Sequence, residues 1–344
     1  MIVPRWSWRG LKPAESSSAS SVVRGGGRRD PSQGLLVLSA NDVAAVLEGL
    51  DLLGPLAEAL MSYSAGAAQS PPRAAATADS GWLGAMPAFL PQVALAAKVI
   101  TVFPANPVQG LPSHQGVVAL FDDDNGRPLC VMDARNTTAS RTAAVSALSV
   151  RELARPGSRV LTVLGSGEQA RAHLRLVPTV RVFSEVRLGA RNQRRAEALA
   201  AEHPGCLVAR SFEEAVRGAD VVVCCTDSPE PVVQLSWLSR GCHLVSVGMG
   251  REVDEFTLRE GHLFAEWRGA ASAPPPAGAL ELQGMNPDAV TELGEVLAHV
   301  QPGRLSSAEI TVFKSTGLGV EDAAVARVVY DAARGRGLGS AAPF

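Results

Sequence analysis

The sequence has little that would draw it to a charged polymer. Its 32 basic and 34 acidic residues leave a formal net charge of -2, which lacks the strong basic balance of a nucleic-acid or acidic-membrane binder. Its apolar runs are strand-sized, well short of the roughly 20 residues that a spanning helix needs. The six histidines are scattered with no HExxH pair. The five cysteines (Cys130, Cys206, Cys224, Cys225, Cys242) have neither zinc nor CxxC spacing, so no metal site is expected. They read as reduced thiols in a reducing compartment. Cys224 and Cys225 lie in ADVVVCCT, the kind of run that forms a buried parallel strand, with a vicinal redox pair as the alternative.

Acids are scarce in the first thirty or so residues, MIVPRWSWRGLKPAESSSASSVVRGGGRRD, which are rich in Arg, Ser and Gly. Such a stretch buries little apolar area, so a disordered tail is expected over residues 1–34 of a cytoplasmic protein. The composition also matches a mitochondrial transit peptide, although Pro4, Pro13 and the glycines interrupt any amphipathic helix.

What is present suits two domains, for which 344 residues suffice. From Leu35 to about Arg151 helix and strand signals mix. Ser39 caps a helical pattern that breaks near Gly54–Pro55. GWLGAMPAF, AAKVITVFP, GVVALFD and PLCVMD read as strands, with Asn125–Gly126 as a hairpin turn between the last two. An Ala-rich helix follows, capped by Thr137 or Thr138 and stopped by Pro156–Gly157. From Ser158 onward RVLTVLG, EVRLGAR, CLVAR, DVVVCCT, HLVSVG and HLFAEW are strand candidates, the earlier ones separated by helices. That alternation predicts a buried, doubly wound parallel sheet. GAASAPPPAGA reads as a flexible or polyproline-like surface loop, and the chain closes with a strand, a turn and a last helix.

LGSGEQA fits G-x-G-x-x-A at Gly165, Gly167 and Ala170, between a β-branched strand and a helix. Gly165 permits the tight turn, Gly167 lets backbone approach a pyrophosphate, and Ala170 lets the helix pack close to the sheet. The helix N-terminus offers its free N–H groups to phosphate. The turn Gly165, Ser166, Gly167, Glu168, Gln169 is therefore a dinucleotide cradle. The second strand ends LGARNQRR, without the acid that would bind a ribose 2′-hydroxyl. Arg191, followed by Asn192, can grip a 2′-phosphate instead, which predicts NADPH over a weaker use of NADH. Arg194 and Arg195 include the solvated face of the next helix.

MPAF, LPSHQGVVALFD, VMDARNTTASRTAAVSAL, VLGSGEQA, GADVVVCCT, ELGEVL and TVFKSTGLGVEDAAVARVVYD together resemble the ornithine cyclodeaminase/mu-crystallin family, over about residues 36 to 335. The resemblance implies an α/β homodimer, with a Rossmann-type doubly wound parallel sheet at 151–311. A smaller α+β substrate and dimerisation domain would comprise 35–150 with 312–344. It implies that Arg73 and Lys98 hold a substrate carboxylate and that Arg141 contacts the cofactor pyrophosphate. Further cofactor contacts are expected from Thr142, Thr226, Val247 and Met249. Lys98 also stands out by itself, as the one cation in VALAAKVITVF, where an unpaired ammonium is costly; snorkelling from a strand edge is the alternative. His114 is either a pocket residue that donates a proton or a structural histidine.

Two departures bear on the reaction. Family cyclodeaminases and alanine dehydrogenases carry an Asp after the turn that here reads SVGMGREVDEF, and Gly250 takes its place. Asp254 or Glu255 would have to approach from farther along. Ser140 stands where mammalian-type members have Lys. The reading that follows is NADPH-dependent reduction of cyclic ketimine carboxylates to cyclic secondary amino acids. NADPH-dependent thyroid-hormone binding with little catalysis, an amino-acid dehydrogenase and an ornithine cyclodeaminase are the alternatives. No nucleic-acid or membrane partner is expected.

Overall fold

The structure, a computed structural model, describes residues 34–343. The expected tail therefore lies outside the described residues except for Gly34. Two sheets organise the rest.

The first sheet is seven-stranded and mixed. Its spatial order is Ser340–Ala342, Leu35–Leu38, Pro128–Asp133, His114–Phe121, Ala94–Val102, Gly81–Leu90 and Ala74–Ala78. All neighbours are antiparallel except Leu35–Leu38 with Pro128–Asp133. The turn at Asn125–Gly126 joins two of these strands, with Gly126 at φ 74°. Strand alternation sends Ala94, Ala96, Lys98, Ile100 and Val102 to the buried face, and Leu95, Ala97, Val99 and Thr101 to the other. The last helix, Gly319–Arg336, packs on the two strands Gly81–Leu90 and Ala94–Val102.

The second sheet has eight strands, all parallel: Val290–Glu292, His262–Ala265, Thr311–Lys314, His243–Ser246, Val221–Cys224, Val160–Leu164, Glu185–Gly189 and Cys206–Val208. Strands Val160–Leu164 and Val221–Cys224 are almost wholly apolar and buried because both faces are covered. Strand order reverses between Val160–Leu164 and Val221–Cys224, which makes the crevice beyond their carboxyl ends the expected ligand site. Thr311–Lys314 slots between two earlier strands, so residue 312 lies inside the parallel sheet.

Helix Ala134–Leu153 connects the two sheets and is buried along most of its length. Its cap is Asp133, whose carboxylate accepts from the N–H groups of Arg135 (3.1 Å) and Asn136 (3.2 Å), not Thr137 or Thr138. The helix starts directly from the preceding strand, so an aspartate at the strand end reaches the orphan donors first. Thr137 instead donates to the Ala134 carbonyl at 2.9 Å. Ser39 caps Ala40–Leu47 in a capping box with Asp42. A second helix, Leu53–Ser64, then takes Gly54 and Pro55 into its first turn, where proline's missing N–H is harmless.

Candidate functional site

The crevice begins at the glycine turn. Gly165 has φ 123°, and a Cβ there would lie 2.5 Å from the Cys225 carbonyl oxygen, so glycine is required by conformation and by contact. Gly167 is different, since a Cβ there would meet nothing within 4 Å. It is the cap of helix Glu168–Leu176 and no side chain accepts from that helix's first turn, which leaves donors for an anion. Glu168 is exposed at this helix start and is paired with Arg135 at 3.0 Å. Thr138 Oγ1 and Gln169 Oε1 are buried along the groove without hydrogen-bond partners. Arg195 lines the same groove. Arg191 is exposed just past strand Glu185–Gly189, and Asn192 caps the next helix by accepting from the Arg195 N–H at 3.0 Å.

Inward from the groove lies a pocket lined by Arg73, Lys98, His114, Arg141, Thr142, Asp227, Val247, Met249 and Lys314, with Trp82, Met86 and Val102 as apolar walls. Lys98 is 1% exposed, mid-strand, which excludes snorkelling. Its Nζ lies 3.0 and 2.8 Å from the two oxygens of Asp322 on the last helix. Burial lowers its pKa to about 8 despite that partner. Arg141 places Nη1 2.8 Å from Glu321 and Nε 3.3 Å from Asp322. It therefore stands among the inner cations and carboxylates, while Gly167 and Arg195 line the outer groove. Burial raises the Glu321 carboxyl to about 8 against the pull of Arg141, with Glu266 and Asp322 adding to the rise.

Arg73 donates to the carbonyls of Pro276 (3.1 Å) and Thr316 (3.0 Å), lies 5.8 Å from the Trp82 ring centre, and keeps a buried Nε with no partner. An unpaired guanidinium donor beside a buried ammonium suits a carboxylate. His114 contacts Ser113 Oγ through Nδ1 at 3.0 Å. Burial lowers its pKa from the ordinary imidazole value, although Asp227 and Glu168 oppose this. Thr142 is turned into its helix, donating to the Thr138 carbonyl at 2.8 Å.

A second buried network fixes the floor. Glu252 accepts from Thr226 N–H (2.6 Å), Thr226 Oγ1 (2.7 Å), Ser246 Oγ (2.9 Å) and Gly248 N–H (2.7 Å). Burial alone would raise its pKa; Lys314 and these donors outweigh that and lower it. Lys314 donates to Ser246 Oγ (2.9 Å) and Gly248 O (2.5 Å) and pairs with Glu281 at 2.9 Å. Thr226 is thus committed to holding the 247–252 loop. Sequence reasoning passed over Lys314, Glu252, Glu281 and Glu266. The signal was there for two of them, a lone cation in ITVFKS and a lone acid in LFAEW. Asp254 caps helix Glu255–Glu260 and Glu255 pairs with Arg259 on it, so both are used at that helix. The segment expected as a flexible surface loop instead places Pro275, Pro276, Gly278 and Ala279 in the pocket lining. Proline and small apolar residues serve as packing surface there.

The model of the ornithine cyclodeaminase/mu-crystallin family matches residues 34–337. The chain belongs to that family. Its relatives within the family include ketimine reductase mu-crystallin of Mus musculus, 38% identical over 306 residues, 86% of this chain and 96% of that protein. Among solved structures, Delta(1)-pyrroline-2-carboxylate reductase of Thermococcus litoralis, in complex with NADH and L-proline, superposes with TM-score 0.83 at 30% identity, covering 90% of this chain and all of that one. An archaeal alanine dehydrogenase dimer with bound NAD gives TM-score 0.79 at 32% identity over 90% of this chain and 99% of that one. The open Gly167 face and the unpartnered Thr138 and Gln169 oxygens fit a dinucleotide of the kind bound in those two structures.

Proposed function

We propose that the protein reduces the C=N bond of cyclic ketimine carboxylates to give cyclic secondary amino acids, with NADPH as hydride donor. The observation that carries this reading is the half-buried Arg73, with its orphan Nε, lining the same pocket as the fully buried Lys98 at the inner end of the groove. Similarity to a ketimine reductase and to a pyrroline-2-carboxylate reductase supports it.

In this reading Arg73 and Lys98 take the substrate carboxylate and fix the ring against Trp82, Met86 and Val102. Asp322 holds Lys98 in place while that carboxylate binds. Dehydration of the pocket strengthens these contacts. NADPH would supply the hydride to the imine carbon. Burial disfavours a charged His114, and in this reading the imine enters as its iminium. Arginines past strand Glu185–Gly189 support the preference for the phosphorylated cofactor: Arg195 lines the groove, and Arg191 is exposed just past the strand end.

The protein is further proposed to act as a homodimer through the outer face of the mixed sheet. That face carries Leu83 (42% exposed), Leu95 (38%) and Val117 (41%), apolar side chains that a partner copy would cover. Sedimentation of the wild type and of Leu95→Glu would test it, with a dimer expected only for the former.

The decisive assay follows loss of reduced-nicotinamide absorbance with five- and six-membered cyclic imine carboxylates, with NADPH or NADH, in wild type and Lys98→Ala. Turnover that collapses in the variant supports the reading. Cofactor binding with no turnover on any imine overturns it.

A further inference from the structure

We propose that Asp227 contacts the substrate, holding the protonated ring nitrogen of the imine and so restricting the site to imines that bear a single carboxylate. This rests on the imine-reductase reading above.

The charges of the pocket are unevenly disposed. Arg73, Lys98 and Arg141 point cations into it, and Glu266, Glu321 and Asp322 stand behind, already engaged with those cations or with backbone N–H groups. Among the described residues lining the pocket, Asp227 supplies the sole carboxylate. It comes from the other sheet, three residues past strand Val221–Cys224, at the switch point, and it lines both the groove and the inner pocket.

Asp227 is held firmly. Its backbone is left-handed at φ 53°, a conformation aspartate tolerates better than most residues. Its Oδ1 accepts from the N–H groups of Met249 (2.9 Å) and Gly250 (3.1 Å). That loop is packed backbone to backbone, because a Cβ on Gly250 would lie 2.0 Å from the Ser228 carbonyl oxygen. Asp227 is exposed, and its Oδ2 has no hydrogen-bond partner among the described residues, so it is open to solvent or to a ligand in the pocket. The charge is felt across the pocket, since Asp227 is the strongest of the charges acting on His114.

The chemistry needs an anion at that place. An iminium accepts hydride far more readily than a neutral imine. When hydride adds to the carbon, the C=N π pair moves to a nitrogen that already carries its proton. No proton transfer is needed in that step, only a group that keeps the nitrogen cationic beforehand. A carboxylate does this by favouring the charged form of its neighbour. The same carboxylate repels a second acidic group on the ring, which gives the specificity.

Three variants with two readouts test this. Wild type, Asp227→Asn and Asp227→Glu are compared in the pH profile of kcat/KM on a six-membered cyclic imine carboxylate. They are also compared in binding, with NADPH present, of L-proline, whose nitrogen is cationic, and furan-2-carboxylate, which has no charged group at that position. In Asp227→Asn, kcat/KM should fall about ten- to a hundredfold, with the optimum moved to lower pH where the free imine is already protonated. Proline should bind about tenfold more weakly while furan-2-carboxylate and NADPH bind as before, and Asp227→Glu should recover part of the loss. Equal weakening of both carboxylates, or an unchanged pH profile and unchanged proline binding, overturns the proposal while leaving wild-type imine turnover to stand by itself. A wild type that reduces no imine but loses proline selectively in Asp227→Asn would keep the contact and remove the reductase reading.

Discussion

Lys98 Nζ sits between the two carboxylate oxygens of Asp322, 3.0 and 2.8 Å away, with both side chains buried. The pair is separated by 224 residues and joins strand Ala94–Val102 of the mixed sheet to helix Gly319–Arg336. Because burial has lowered the ammonium's pKa to about 8, its charge is lost as pH rises through that value. The free enzyme should therefore lose kcat/KM above about pH 8. Lys98→Arg, whose guanidinium stays charged, should show no such limb, whatever its absolute rate. Lys98→Met should lose about a hundredfold or more in kcat/KM, while Asp322 keeps Arg141 as a partner. A limb that persists unchanged in the arginine variant would remove Lys98 as its source.

The two glycines of the turn should separate under substitution. Gly165→Ala meets both an unfavourable φ and the Cys225 carbonyl, and should lower the melting temperature and abolish cofactor binding. Gly167→Asp meets open space. Its effect should be confined to charge, leaving thermal stability within about 0.5 kcal/mol while dinucleotide affinity falls at least tenfold. Calorimetry and fluorescence titration on both variants check this.

The proposed preference for NADPH predicts an arginine that reads the 2′-phosphate. Arg195 lines the groove and Arg191 does not. Arg195→Ala should raise KM for NADPH by about tenfold and leave that for NADH nearly unchanged. A larger effect of Arg191→Ala would reassign the contact to the strand end.

Acid should unfold the protein through two histidines that take no part in the pocket. His173 is buried between Gln169 O (2.7 Å) and Ser146 Oγ (2.9 Å), and His243 between Thr311 Oγ1 (2.9 Å) and Ser149 Oγ (3.2 Å). Burial lowers their pKa values to about 4 and about 3. Both are depressed below the unfolded value, so their contribution is full above pH 6.5 and drains as pH falls towards those values. Each should remove about 1.4 kcal/mol per pH unit in that window. Denaturant melts at descending pH should show this slope, roughly halved in His243→Gln. An unchanged slope would clear that residue.

How far the sequence reaches can be judged residue by residue. The parallel sheet was legible because fully buried strands read as apolar runs between helices, and the glycine turn because only Gly fits φ 123° at residue 165. Lys98 was visible as a charge in a run that excludes charge. Asp227 was not, since an aspartate after a strand usually marks nothing more than a loop. Ala74–Ala78 and Ser340–Ala342 were also hidden, because small residues on exposed edge strands carry no alternation. The Glu252–Lys314–Glu281 network needs residues from three loops and strands, and no spacing in one dimension records that meeting.

The late strand Thr311–Lys314, wedged between His243–Ser246 and His262–Ala265, bears on how the protein is made. As the chain leaves the ribosome, those two earlier strands have no partner on their facing edges until residue 314 is out. Each edge is a template for pairing with another nascent chain. Chaperones or a translational pause that shields those edges would matter more for this protein than for one whose sheet grows strand by strand at its rim.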